Sequence, residues 1–127
     1  MSEPTAAPSR RLVVKSTAGA ASPELTNQAF TVAATALASG VDVSLWLTGD
    51  SAWLGVPGRA DDLVLEHAAP LDDLLASLVE GGTVTVCTQC AARRGITQDD
   101  VLPGVRIAGS AVFVEEIMAP QTQALVY

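Results

Sequence analysis

The residues best suited to chemistry are two cysteines three apart, Cys87 and Cys90, and the chain has no others. They lie in one stretch, Thr83-Val84-Thr85-Val86-Cys87-Thr88-Gln89-Cys90-Ala91-Ala92-Arg93-Arg94-Gly95-Ile96. Residues 83–86 are β-branched throughout and read as a buried strand. Gln89 to Arg94 contains good helix formers, and Gly95 stands where a C-terminal cap belongs. Cys87 therefore falls at a strand-to-helix corner, with Cys90 one helical turn further on. The unpaired N–H groups of a helix start carry partial positive charge. A thiol there ionises more readily, with pKa values of about 3.5 to 7.5 at such sites, and the thiolate is the nucleophile. The sole histidine, His67, reads as a surface or linker residue rather than a ligand or base.

Composition bounds what this corner can serve. The 127 residues fit one domain, with a tail at residues 1–10 and an α/β unit at 11–127. At 49% hydrophobic and 4% aromatic, the core must be built from Ala, Val, Leu and Ile. The formal net charge of −7 leaves no basic surface for phosphate neutralisation, which argues against nucleic acid as a partner. No apolar run approaches the roughly 20 residues needed to cross a bilayer. The first ten residues have no apolar segment of signal-peptide type. The expected compartment is the cytoplasm, where thiols stay reduced and a C-x-x-C pair points to redox, sulfur or metal chemistry.

The elements that position the cysteines alternate along the chain. Strands are expected near residues 11–16, 41–47, 83–87, 105–109 and 122–126. Ser22-Pro23-Glu24 opens a helix that runs to about Ser39, with Leu25, Ala29, Val32, Ala33 and Ala36 on one face. Leu71, Leu74, Leu75, Leu78 and Val79 mark a second helix. Thr97 to Asp100 resembles a capping box. A last helix is expected over 111–119, with Val114, Ile117 and Met118 inward. Between Ser51 and Arg59, Trp53, Leu54 and Val56 read either as a lid on the core or as an exposed patch that docks another subunit. The acids between Asp61 and Glu80 read as a solvated face, with an acidic docking surface as the alternative.

This β-α alternation predicts a parallel sheet with helices on both faces. Ligand sites in such sheets lie beyond the carboxyl ends of the strands. Thr17, Gly49, Asp50 and Cys87 occupy such positions. Neither a G-x-G-x-x-G nor a P-loop is present, so no nucleotide cofactor is implied.

The pattern resembles the DsrE/DsrF-like sulfur-relay family. The matching features are strand one with its small-residue loop and the Ser22-Pro23-Glu24 helix start, Gly40 to Ser44 leading into strand two, Gly49-Asp50 at its end, and Cys87 with Arg94-Gly95-Ile96 downstream. The resemblance covers residues 11 to 127. It implies a three-layer α/β/α fold with a five-stranded parallel sheet, commonly assembled as trimers or hexamers. It also implies that Cys87 accepts sulfane sulfur as a persulfide and passes it on, so that the partners are sulfur donors and acceptors, whether proteins or small persulfides. The single-cysteine relay proteins of the family have no counterpart of Cys90.

The leading reading is a homo-oligomeric sulfur carrier with Cys87 as nucleophile, Cys90 beside it, and Thr17, Gly49, Asp50 and Arg94 lining the site. Arg94 reads either as a charge-stabilising group or as a helix C-terminal residue on the dipole. The alternatives are thiol–disulfide exchange through both cysteines, and an oligomeric binding protein with inert thiols. A zinc site is disfavoured because two cysteines and a distant His67 do not supply four ligands.

Overall fold

The computed structural model describes residues 10–127, so the tail expected at residues 1–10 lies, except for Arg10, outside the described residues. Five strands, β1 (Arg11–Ser16), β2 (Asp42–Leu47), β3 (Thr83–Cys87), β4 (Val105–Ala108) and β5 (Thr122–Val126), form one sheet in the order β4-β3-β2-β1-β5. Every pairing is parallel. Four helices connect them, α1 (Pro23–Ala38), α2 (Leu71–Gly81), α3 (Thr88–Arg93) and α4 (Ser110–Ile117). The expected α/β architecture is the one observed.

Crossover handedness explains the layering. From β1 to β4 the chain steps in one direction across the sheet, so right-handed connections keep α1 and α2 together on one face. The passage from β4 to β5 reverses direction and carries α4 to the other face. On the first face Val14, Val43, Leu45, Leu47, Val84 and Val86 meet Ala29, Phe30 and Ala33 of α1 and Leu71, Leu75 and Leu78 of α2. Each large apolar side chain buried here contributes about 1.5–3 kcal/mol. The α1 stripe is rotated from the expected one. Thr26, Asn27, Ala29, Phe30 and Ala33 are inward, while Leu25 is exposed. Thr26 can face inward because its hydroxyl donates to the carbonyls of Gly19 and Ser22.

Residues Gly49–Gly55 form a 3-10 helix that closes over the same face. Leu54 is buried at 2% exposure, and Trp53 is half-buried under the Arg59 guanidinium, 4.5 Å from its ring centre. The stretch is thus a lid on its own core, and the reading of Leu54 as part of a docking patch is corrected. The acids from Asp61 to Glu80 are all exposed, as is His67.

The second face mixes polar groups with Val13 and Trp46. Ser44, Trp46, Thr85 and Arg106 lie there, and only the eight-residue α4 covers them. The expectation that Val114 and Met118 point inward is wrong, since they are 51% and 75% exposed. The polar groups need a polar partner, and the inward groups of α4 are Phe113 and Glu116. The Glu116 carboxylate accepts from Ser44 Oγ, from Trp46 Nε1 at 3.3 Å and from the Arg106 guanidinium. Phe113 meets Trp46 edge-on at 5.2 Å. Exposed apolar side chains stand on this side of the molecule at Val114 of α4, at Met118 just past its end and at Val126 of β5, which pairs with Lys15.

Burial alone would raise the pKa of Glu116, but Ser44, Trp46 and Arg106 outweigh it and hold the carboxyl below its ordinary value. Its stabilisation is therefore complete above the unfolded value of about 4.3 and is lost as pH falls through the lower folded value. Glu116→Ala should destabilise the fold by about 2 kcal/mol near neutral pH. Glu116→Gln should flatten the loss of thermal stability in acid, read as melting temperature against pH. An unchanged acid limb in Glu116→Gln would show that this carboxylate does not anchor α4.

Candidate functional site

The thiols sit at the carboxyl end of the central sheet. Cys87 closes β3 and is the N-cap residue of α3, with Cys90 at the third helical position. The helix is short, and it ends at Gly95, whose φ of +67° suits glycine and lets the chain turn away. Both cysteines are free, and each is 9% exposed.

An N-cap side chain faces the N–H groups of the second and third helical residues. Here those are Gln89 and Cys90. Burial pushes the Cys87 thiol up, while the N–H groups of Cys90 and Gln89, the Cys90 side chain and the charge of Lys15 pull it down, and the net shift is downward. No cap hydrogen bond is closed, so these groups act through longer contacts. The outcome is a thiol that ionises more readily than a free cysteine, in a niche that excludes most water.

The expected site-lining residues come together around Cys90 rather than over Cys87. The Gly49 N–H donates to Cys90 Sγ at 3.1 Å. Gly49 has φ of +52°, and a Cβ on it would lie 2.8 Å from the Thr17 carbonyl oxygen, so only glycine brings the loops this close. Arg94 reaches back from the end of α3. It pairs with Asp50 at 2.8 Å and donates to the Cys90 carbonyl at 3.1 Å. It thus ties α3 to the loop after β2, and its guanidinium is engaged there rather than at the Cys87 sulfur. Thr17 donates its hydroxyl to the Tyr127 carbonyl at 2.7 Å and contributes its own carbonyl to the Gly49 contact.

The sequence reading missed Lys15. It pairs in register with Trp46, so it lies on the α4 face of the sheet, as does Cys87 two strands away. Its ammonium stands over the Phe113 ring, 5.2 Å from the centre. A lysine inside the apolar run Leu12-Val13-Val14-Lys15 was the available signal. Among the described residues, no third His, Cys, Asp or Glu joins the two cysteines in a group that could hold a metal ion.

The profile described as the DsrE/DsrF-like family matches residues 11–119. An uncharacterized protein of Methanopyrus kandleri is 32% identical over 76 residues, a match that spans 60% of each chain. Among solved structures, the YchN protein of E. coli superposes with a TM-score of 0.75 at 20% identity, covering 94% of this chain and 99% of that one. A protein of unknown function from Methanobacterium thermoautotrophicum gives a TM-score of 0.65 at 14% identity, covering 93% and 99%. At these identities the structural likeness shows the fold.

Lys15→Met should raise the pKa of Cys87 toward that of a free thiol. In a Cys90→Ser background, the pH midpoint of iodoacetamide alkylation reads this directly. A midpoint unchanged from that of the parent would show that Lys15 does not act on the sulfur.

Proposed function

The chain belongs to the DsrE/DsrF-like family, a family associated with sulfur relay, and on that premise we propose that it is a sulfur carrier with Cys87 as the acceptor. The observation that carries the reading is the placement of Cys87. It caps α3 at the carboxyl end of β3, with its pKa drawn down by adjacent N–H groups and Lys15. The thiolate attacks the outer sulfur of a donor persulfide. The donor's S–S bond breaks, the donor leaves as a thiolate, and Cys87 holds the new S–S bond as a persulfide. An acceptor thiolate then attacks the outer sulfur, and Cys87 leaves as a thiolate. No acid–base residue is required, because thiolates leave readily.

Donors and acceptors are sulfur-carrying proteins or small persulfides, met in the cytoplasm. No helix among the described residues is long and apolar enough to cross a membrane. Residues 11–127 act as one unit in this reading, assembled as a homo-oligomer, trimer or hexamer. The surface that supports assembly is the apolar side formed by Val114, Met118 and Val126. Sedimentation should show a species larger than a monomer at high micromolar concentration. A monomer there would remove the assembly from the proposal.

Incubation with a small persulfide should add one sulfur to the wild-type chain, read by intact mass. Cys87→Ser should abolish the addition. Equal loading of wild type and Cys87→Ser would overturn the assignment of Cys87.

A further inference from the structure

The carrier chemistry leaves Cys90 without a role, yet its position is among the most constrained in the fold. Cys87 is the N-cap of α3 and Cys90 its third helical residue. The Cys90 side chain is one of the groups that pull the Cys87 thiol down, so the two side chains lie within interaction distance at the helix start. Cys90 is also held from behind. The Gly49 N–H fixes its sulfur at 3.1 Å, and Arg94 fixes its carbonyl at 3.1 Å. Gly49 in turn is locked against the Thr17 carbonyl. Cys90 is thus held by the loop after β2 and by Arg94 while it stands beside Cys87. In a persulfide on Cys87, the inner sulfur is the Cys87 sulfur itself and so remains beside Cys90.

We infer that Cys90 is a resolving thiol that attacks the inner sulfur of a Cys87 persulfide, expels the outer sulfur as sulfide and leaves a Cys87–Cys90 disulfide. This rests on the carrier reading above and extends it. The bond between the inner and outer sulfurs breaks as the Sγ–Sγ bond forms. The outer sulfur leaves with the electron pair as hydrosulfide, and the Cys90 proton ends on it or in solvent. The sulfane sulfur is reduced to sulfide, and the two cysteines are oxidised to the disulfide level. No outside oxidant or reductant enters the step. Hydrosulfide is a good leaving group, and the attacking sulfur is already adjacent, so the reaction is intramolecular. An acceptor thiol and Cys90 therefore compete for the same loaded protein. The acceptor attacks the outer sulfur and carries it away, whereas Cys90 attacks the inner one and releases it as sulfide.

The test is anaerobic loading of the full chain with sodium tetrasulfide, removal of excess reagent, and time-resolved intact mass with sulfide quantitation. Wild type should gain one sulfur, then lose it with release of one sulfide per chain and appearance of a Cys87–Cys90 disulfide in peptide mapping. Cys90→Ser and Cys90→Ala, confirmed as folded by circular dichroism, should gain the sulfur and keep it, with sulfide release lost. Cys87→Ser should neither load nor release. Wild type that keeps its added sulfur as long as the Cys90 variants do would overturn the resolving role and leave the carrier reading standing. Folded Cys90 variants that never load would overturn the carrier reading itself. Loading and sulfide release by Cys87→Ser would reverse the roles of the two thiols and overturn the inference as stated.

Discussion

The docking of α4 depends on a single carboxylate. One face of the sheet is sealed by two helices and a 3-10 lid through apolar contact, and it would form in many sequences of the same pattern. The other face carries Ser44, Thr85 and Arg106, none of which can be left under an apolar helix without partners. Glu116 resolves this. It accepts from Ser44, Trp46 and Arg106 at once, while the Arg106 Nε donates to Thr85 at 2.6 Å. The Arg106 side chain is 42% exposed and that of Glu116 only 11%, so the pair is anchored from its inner end. Removing Glu116 leaves Ser44 and Trp46 without their acceptor while Arg106 stays partly solvated, so the cost falls on the docking of α4.

That docking reaches the thiols. With Glu116 in place, Phe113 stands edge-on to Trp46 and beneath the Lys15 ammonium. Lys15 adds the smallest of the downward pulls on the Cys87 thiol, after the N–H groups of Cys90 and Gln89 and the Cys90 side chain. The electrostatic state of the thiol at one end of the sheet is thereby linked to a hydrogen-bonded cluster in the middle of its mixed face. Cys90 belongs to a different network, made of Gly49, Thr17, Asp50 and Arg94. The two sulfurs are adjacent but held by separate parts of the structure, which suits them to unlike roles.

Much of this was legible in the sequence. The parallel sheet followed from β-branched runs alternating with capped helices. The closeness of Thr17 and Gly49 followed from their places after strands one and two, but the Gly49 N–H meets Cys90 rather than Cys87. What the sequence concealed was the mixed face. Val114, Ile117 and Met118 have the spacing of a core stripe, but helical periodicity marks a face without saying which side is covered. A helix lying on a partly polar sheet face reverses the usual inference, and Phe113 and Glu116 became the inward pair. Arg94 has two readings in the sequence, and in the fold it sits as a residue at the end of α3 that donates to the Cys90 carbonyl. Its position in the chain is that of a residue near the thiols, but a neighbouring carboxylate, Asp50, was free to claim it. Lys15 was overlooked because the strand signal does not say what a charge faces until the register places it beside Trp46.

The contact between Thr17 and Tyr127 also bears on how the protein can be handled. Tyr127 gives its carbonyl to both the hydroxyl and the N–H of Thr17, and its own N–H donates to the Lys15 carbonyl. Thr17 in turn touches Gly49, which holds Cys90. Any polypeptide, fluorophore or surface tether joined after Tyr127 emerges at the rim of the thiol niche and pulls on the loop that shapes it. An attachment ahead of Arg11 joins the amino end of the parallel strands, a full sheet length from the sulfurs. Fusion partners and immobilisation chemistry belong at that end.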